Sequence, residues 1–182
     1  MGSQKRVHFY FRKDSRVGAR ITVRFMEYIP LDSYPHYAEC EKIVSELGFH
    51  LVELKISPQN GVTQILATIT GKDASVNIGV NDCSRVHKVL LPALEEILGT
   101  DNTYMELTSP GMERNIKNAA EFPLFLGREI RVYDKTVTDW VGGVLKAADS
   151  ESVTLEEPKE DGSVETKSIS LEHIAKAKFI HL

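Results

Sequence analysis

The sequence predicts an α+β protein in which an αββαβ two-layer domain precedes a small β-barrel of the SH3-like or Sm-like kind. Helical apolar stripes alternate with period-two strand patterns in the first half of the chain, whereas five short strand patterns separated by polar turns fill the second half. Between the halves, Ser109-Pro110-Gly111 has the residues of a tight turn, because proline presets φ and glycine accepts a positive φ.

Residues 30–116 are predicted to form the αββαβ domain. Ser33 is expected to cap a helix whose apolar residues recur at three- and four-residue spacing and which ends at Gly48. Asn60-Gly61 is a strong hairpin signal between the first two strands. The predicted strands of this domain are 49–56, 63–70 and 104–108.

The second helix of this domain has the strongest apolar stripe in the chain. Asn81 or Asp82 is expected to cap its start, and Gly99 to end it. Pro92 lies inside the helix, where proline is expected to bend it or to mark a break.

Residues 117–182 are predicted to form the barrel domain. A short helix or turn over 118–126 buries aromatic residues and ends at Gly127. The five predicted strands are 129–133, 140–147, 152–156, 165–169 and 175–181. A single 3₁₀ turn at 171–174 before the fifth strand, and a bend at Gly142-Gly143 in the second, are typical of a small barrel.

The composition fits one large or two small domains. The 182 residues are 42% hydrophobic and 26% charged, which is enough for packed cores in a soluble protein. Cys40 and Cys83 are the only cysteines and form no disulfide framework, so a reducing, cytoplasmic location is expected. No apolar run approaches the roughly 20 residues needed to cross a bilayer, and we expect no membrane partner.

Charge is distributed unevenly along the chain. Residues 1–29 hold seven basic and two acidic residues, a balance of +5, so the remainder carries −9 of the total of −4. An acidic body binds bare nucleic-acid phosphate poorly, because that affinity comes largely from Lys and Arg. It favours a basic protein partner, since opposite fields steer encounter.

We expect residues 1–29 to form a basic extension, poorly ordered and outside the core. Met26 begins a run that suits a true start, so we interpret the residues before it as a start-site artefact. Two alternatives stay open at this point: an arm that contacts RNA, and an organellar transit peptide, although the segment lacks a helical apolar stripe.

Six residues are the candidates for partner binding or for the domain junction: Asp82, Ser109, Pro110, Gly111, Arg114 and Trp140. Asp82 is explained most simply by helix capping. Arg114 is expected to pair with a carboxylate across the junction, with a direct partner contact as the alternative. Trp140 is expected to pack in the core, or otherwise to anchor a partner.

No residue set indicates catalysis, a metal or a cofactor. Cys83 and His87 stand four apart on one predicted helix, but structural zinc takes four protein ligands. Ser109 is not in a G-x-S-x-G elbow, and the chain has no Walker loop and no G-x-G-x-x-G. The αββαβ order also suggests a KH-type RNA module, but the G-x-x-G clamp of such modules is missing.

Several short motifs, taken in order, resemble the bacterial ribosome maturation factor RimP family. They are Leu47-Gly48-Phe49, Val80-Asn81-Asp82-Cys83, 104–114, Gly127-Arg128, Gly142-Gly143-Val144 and 174–177. The resemblance implies the two-domain fold predicted above and a non-catalytic role in assembly of the small (30S) ribosomal subunit. Asn115 stands where the family usually has proline, so we expect a less stiff junction.

Our leading hypothesis is therefore a monomeric, non-enzymatic assembly factor. By the resemblance, its partners are the immature small subunit, a basic ribosomal protein of the decoding region and the adjacent ribosomal RNA. A general RNA-binding module that uses the basic N-terminal extension is the second hypothesis. A small hydrolase that uses Ser109 is the third, and no base-and-orienter set supports it.

Overall fold

The computed structural model describes residues 26–74, 76–111 and 114–180. The expectations for residues 1–25 lie outside this part of the chain. Two α-helices lie within it, α1 (Tyr37–Glu46) and α2 (Val80–Leu98). The first sheet contains β1 (Phe49–Gln59), β2 (Val62–Gly71) and β3 (Thr103–Thr108). The second contains β4 (Asn115–Ile116), β5 (Glu129–Asp134), β6 (Asp139–Ala148), β7 (Ser152–Pro158), β8 (Val164–Ser170) and β9 (Ile174–Phe179).

The elements of the first half of the chain follow one another in the predicted order, αββαβ. β1 and β2 are antiparallel and meet at Asn60-Gly61, whose positive φ angles of 54° and 82° suit a tight hairpin turn. β3 runs parallel to β2, because α2 carries the chain back across the sheet before β3 begins. The apolar faces of α1 and α2 pack with this sheet into one core, in which Cys40, Val44, Leu90 and Leu94 are completely buried.

Both helices begin at residues other than those predicted. α1 begins at Tyr37 after His36, whose backbone is left-handed with φ 61°. Ser33 does not cap it, because the Ser33 hydroxyl donates to the Pro30 carbonyl. α2 begins after Gly79, so neither Asn81 nor Asp82 is its N-cap residue, but Asp82 does take part in capping, because its side chain accepts from the Gly79 N–H.

The second helix ends as predicted and is not broken. α2 continues through Pro92, which is exposed, as is Lys88. The Lys88 carbonyl, whose helical partner proline removes, therefore lies on the solvent side of the helix. Gly99 ends the helix in the left-handed conformation, with φ 65°.

The second sheet is antiparallel throughout and has the strand order β4-β9-β5-β6-β7-β8. The five strands predicted for this half are present as β5 to β9, and the 3₁₀ turn before the last strand is confirmed at Leu171–His173. The two-residue strand β4 was not predicted. Because β4 and β8 are the two ends of the hydrogen-bonded order, closure into an SH3-like barrel stays a prediction.

A second core lies against this sheet. Phe122 and Phe125, from the 3₁₀ helix Ala119–Phe125, are completely buried in it. Gly143 lies where a Cβ atom would stand 2.7 Å from the Glu156 carbonyl oxygen of the neighbouring strand. Only glycine therefore permits β6 and β7 to approach so closely at this point.

Residues 26–29, assigned to the extension above, contact the second sheet. Met26 is buried in the second core, and its N–H donates to the Ile174 carbonyl across 3.0 Å. The Glu27 carbonyl accepts from the Ala119 N–H at 2.9 Å. In the described residues, no helix is long and apolar enough to span a membrane.

Candidate partner-binding site at the junction of the two sheets

Arg114 joins the two sheets through carboxylates on both of them. It stands immediately before β4, where its carbonyl accepts from the Phe179 N–H. Its Nη2 lies 3.2 Å from Glu53 Oε2 on β1 and 3.1 Å from Glu121 Oε2 in the 3₁₀ helix of the second half. Only 11% of the Arg114 side chain is exposed. A cation is therefore held between one acid from each half of the chain.

Lys117 and Asn118 extend this group of contacts. Lys117 Nζ lies 3.0 and 3.1 Å from the two Glu53 carboxylate oxygens. The Asn118 side chain accepts from the N–H of Ile29 and donates to its carbonyl, at 2.9 and 2.7 Å. We call the five residues Glu53, Arg114, Lys117, Asn118 and Glu121 the junction cluster. It binds together the start of the described chain, β1 and the entry to the second sheet.

The two acids of the junction cluster have pKa values shifted in opposite directions. Burial alone would raise the pKa of Glu53, but the hydrogen bonds and charges of Lys117 and Arg114 outweigh it and lower that pKa. Burial raises the pKa of Glu121, and Arg114 offsets this only in part. Glu53 is therefore the acid whose ionised form the fold favours.

Arg128 makes the second bridge between the sheets. It precedes β5, and its Nη2 reaches the Val76 carbonyl at 3.2 Å and Thr70 Oγ1 at 3.5 Å. The guanidinium also lies 5.9 Å from the ring centroid of Phe179. Burial lowers the pKa of Arg128. Among the described residues no carboxylate pairs with it, so its charge is met by neutral oxygens and an aromatic face.

A cleft of about 530 Å³ lies beside Arg128, between the two sheets. Ser109, Pro110 and Gly111 line it from the end of the first sheet. Thr70 and Arg128 contribute further polar groups to the lining. The residues predicted to form a tight turn at the seam thus border an open groove, but the predicted turn is wrong, because Gly111 does not have the positive φ that it needs.

The structure places the six predicted site residues in four different parts of the fold. Ser109, Pro110 and Gly111 lie at the cleft, and Arg114 lies in the junction cluster. Asp82 stands apart at the start of α2, where its Oδ2 accepts from the Gly79 N–H at 3.0 Å.

Trp140 lies far from the junction residues along the chain, on β6. It is half-buried and packs edge-on against Tyr133, with ring centroids 5.6 Å apart.

Sequence reasoning missed several residues of the junction. Glu53, Lys117 and Glu121 stand in segments of ordinary strand or helix pattern, and nothing in their spacing indicates that they converge on Arg114. Arg128 carried a signal, because Gly127-Arg128 is one of the motifs that resemble the RimP family. The described residues also contain no group of three or more His, Cys, Asp or Glu side chains placed to hold a metal ion.

Fold and junction together define a mixed α+β protein in which an αββαβ layer is joined to an antiparallel sheet through buried polar contacts. Residues 39–113 match the family model described as the RimP N-terminal domain. This match runs from within α1 to the residue before Arg114.

A curated relative, the ribosome maturation factor RimP of Albidiferax ferrireducens, is 34% identical over 111 residues. The aligned region covers 58% of this chain and 53% of the relative, so the chain spans about half the length of that protein. These matches confirm the resemblance to the RimP family found in the sequence, and they carry it through the family's N-terminal domain.

Proposed function

We propose that this chain is a ribosome maturation factor that binds the immature small (30S) ribosomal subunit. The observation that carries the proposal is its 34% identity over 111 residues to a protein named ribosome maturation factor RimP. The match of residues 39–113 to the RimP N-terminal domain supports it. The choice of the small subunit follows from the family resemblance.

Binding without catalysis is the mechanism that we propose. Two domains, 30–116 and 117–182, would hold a partner between them, and the second would be a barrel of the SH3-like kind. The junction cluster and Arg128 support this picture, because buried polar contacts restrict how the two halves turn against each other. A protein with a preset shape recognises one state of an assembling particle and leaves when that state is consumed.

The partner that we propose is a basic ribosomal protein of the decoding region together with adjacent ribosomal RNA. The negative balance of residues 30–182 supports a basic protein, because opposite fields speed encounter and set orientation. The cleft at Ser109, Pro110 and Gly111 is the surface that we assign to this contact, with Arg114 holding its walls in place. We propose that the protein acts as a cytoplasmic monomer.

Deletion of the gene, followed by separation of ribosomal subunits and assembled ribosomes by sedimentation, tests the proposal. We expect the deletion strain to contain an excess of free subunits and incompletely processed small-subunit RNA. Expression of the full chain in that strain is expected to correct both defects. Expression of the variant Glu53→Gln is expected to correct these two defects less completely, because the substitution removes the carboxylate that Arg114 and Lys117 share. Glu157→Gln is the matched control, since Glu157 also pairs with a lysine, Lys167, but is 47% exposed. Normal subunit ratios and normally processed RNA in the deletion strain would refute the proposal.

The basic N-terminal extension favours a second candidate function, general RNA binding. Seven of the first 29 residues are basic, and such density supplies non-specific affinity for phosphate. Removal of residues 1–25 separates the two candidates. Loss of ribosome association, with the remaining chain still folded, would favour RNA binding through the extension.

A further inference from the structure

The outer face of the second sheet gathers basic and aromatic side chains from three neighbouring strands. In the register of β5, β6 and β9, Arg131 stands opposite Lys178, and Tyr133 stands opposite both Lys176 and Trp140. The alternate residues Val132 and Ala177 are buried on the core side. The five outward residues Arg131, Tyr133, Trp140, Lys176 and Lys178 therefore share one surface, which we call the basic–aromatic face.

The cations of this face have no carboxylate partner among the described residues. This sets them apart from the lysines on the neighbouring strands. Lys146 on β6 pairs with Glu156 at 2.9 Å, and Lys167 on β8 pairs with Glu157 at 2.8 Å. Acidic residues that adjoin the face in sequence, Glu129 and Asp139, stand at its ends. The centre of the face is positive on a chain whose body is acidic.

Trp140 is the point on which the cations converge. The Arg131 guanidinium carbon lies 4.9 Å from the centroid of the indole ring, and Lys178 Nζ lies 5.5 Å from it. The Nε atom of Arg131 is buried and has no hydrogen-bond partner among the described residues. Aromatic and guanidinium surfaces therefore lie side by side with two ammonium groups within one small patch.

We propose that the basic–aromatic face binds an unpaired segment of RNA. Single-stranded nucleic acid is held without sequence preference by cations that follow the phosphates and by aromatic rings on which bases stack. Arg131, Lys176 and Lys178 supply the cations, and Trp140 supplies the ring. An acidic protein segment would also be attracted by the charge, but its carboxylates carry no aromatic ring to stack on the indole. The inference rests on the proposed function for the source of the RNA, which would be ribosomal.

Binding of a fluorescently labelled, unstructured oligouridylate to the purified full chain tests the proposal. The double variant Lys176→Gln/Lys178→Gln is expected to weaken binding at least about tenfold at low salt, and to lower the slope of log K against log salt by about 1.4, or about 0.7 for each lost phosphate contact. The matched control is Lys146→Gln/Lys167→Gln, which removes two charges from the same sheet and leaves the face intact. It is expected to change affinity less than twofold.

Trp140 provides an independent readout, because it is the only tryptophan in the chain. RNA that stacks on it quenches its fluorescence, with the same midpoint as the change in anisotropy. Replacement of Trp140 by leucine is expected to weaken binding by about 5- to 150-fold, the range measured for loss of one stacked base. Trp140→Phe keeps a ring at the position and is expected to retain most of the affinity. Circular dichroism and urea unfolding verify that each variant is folded.

Three results would overturn the proposal. The first is RNA binding that the double lysine variant and Trp140→Leu leave unchanged, which would place the RNA elsewhere on the chain. The second is absence of indole quenching at saturating RNA. The third is equal quenching and full competition by poly-glutamate, which would indicate an acidic protein partner. Each of them leaves the ribosome-maturation proposal standing, because that proposal is tested by the deletion strain and not by isolated RNA.

Discussion

The pair formed by Arg114 and Glu53 is the contact whose loss we expect to weaken the junction most directly. A double-mutant cycle isolates it, using Glu53→Gln, Arg114→Met and the two changes combined. Lys117, which also contacts Glu53, is present in all four proteins, and its contribution cancels. The interaction free energy that remains belongs to the Arg114–Glu53 pair.

The structure sets the size of this free energy. At the separation of 3.2 Å, Coulomb's law with an effective dielectric constant of about 20 gives a gross attraction of about 5 kcal/mol. Water reaches the Glu53 carboxylate, whose side chain is 26% exposed, and screens most of that attraction. Arg114 also keeps its second partner, Glu121, when Glu53 is replaced. We therefore expect an interaction free energy of about 1–2 kcal/mol.

Urea unfolding of the four proteins at neutral pH measures this value. The exposed pair Lys146–Glu156 is the matched control, because its atoms are closer, at 2.9 Å, while its side chains are 49% and 34% exposed. Its coupling is expected to stay between about 0 and 1 kcal/mol. An Arg114–Glu53 coupling within the additivity error of about 0.3–0.5 kcal/mol, or no larger than that of the control pair, would refute the claim that burial makes the junction pair strong.

Four further predictions concern stability. The difference in free energy of unfolding between the wild type and Glu53→Gln should have its full value above the ordinary glutamate pKa of about 4.3. It should shrink as the pH falls through the lowered pKa of folded Glu53. Urea unfolding at a series of pH values measures this difference, and a value that does not change with pH would contradict the prediction. The pKa of Glu121 is raised, so the folded protein disfavours the ionised form of this side chain. In the same assay at neutral pH, Glu121→Gln should therefore lower the free energy of unfolding less than Glu53→Gln does. Gly143→Ala should destabilise by about 1–3 kcal/mol through overpacking, because the new methyl group would meet the Glu156 carbonyl; an unchanged thermal midpoint would contradict it. Leu90→Ala, at a completely buried position, should cost about 2–5 kcal/mol in denaturant unfolding, and a cost below that range would show that the core collapses around the gap.

The elements of the fold could be predicted where local sequence determines local structure. The apolar stripes, Asn60-Gly61 and Gly99 placed the hairpin and the end of α2 correctly, because each acts through the conformation of its own backbone. The helix starts were displaced, since α1 follows a left-handed His36 and α2 is capped by Gly79, neither of which is a preferred side-chain cap. Strand β4 has two residues, too few to show any period.

The site could be predicted only in part. The seam at Ser109 to Gly111 was found, although the tight turn predicted there is wrong, because Gly111 does not adopt a positive φ. The partners of Arg114 were not, since Glu53 precedes it by 61 residues and the pairing depends on how the two sheets meet. Trp140 was expected to pack in the core or to meet a partner, and it is half-buried among cations that come from two other strands. Such a cluster exists only after the register of the sheet is set.

The hydrogen bonds between Asn118 and Ile29 have a consequence for how the molecule moves. They fasten the chain to the second sheet just before it enters α1 and β1, and the chain returns to that sheet at β4. The αββαβ layer is thus connected to the second sheet by two neighbouring segments of the chain, and not by a single linker. Two connections permit rocking about the line that joins them and resist rotation about the length of either segment. We expect any rearrangement of the two halves to follow that single axis.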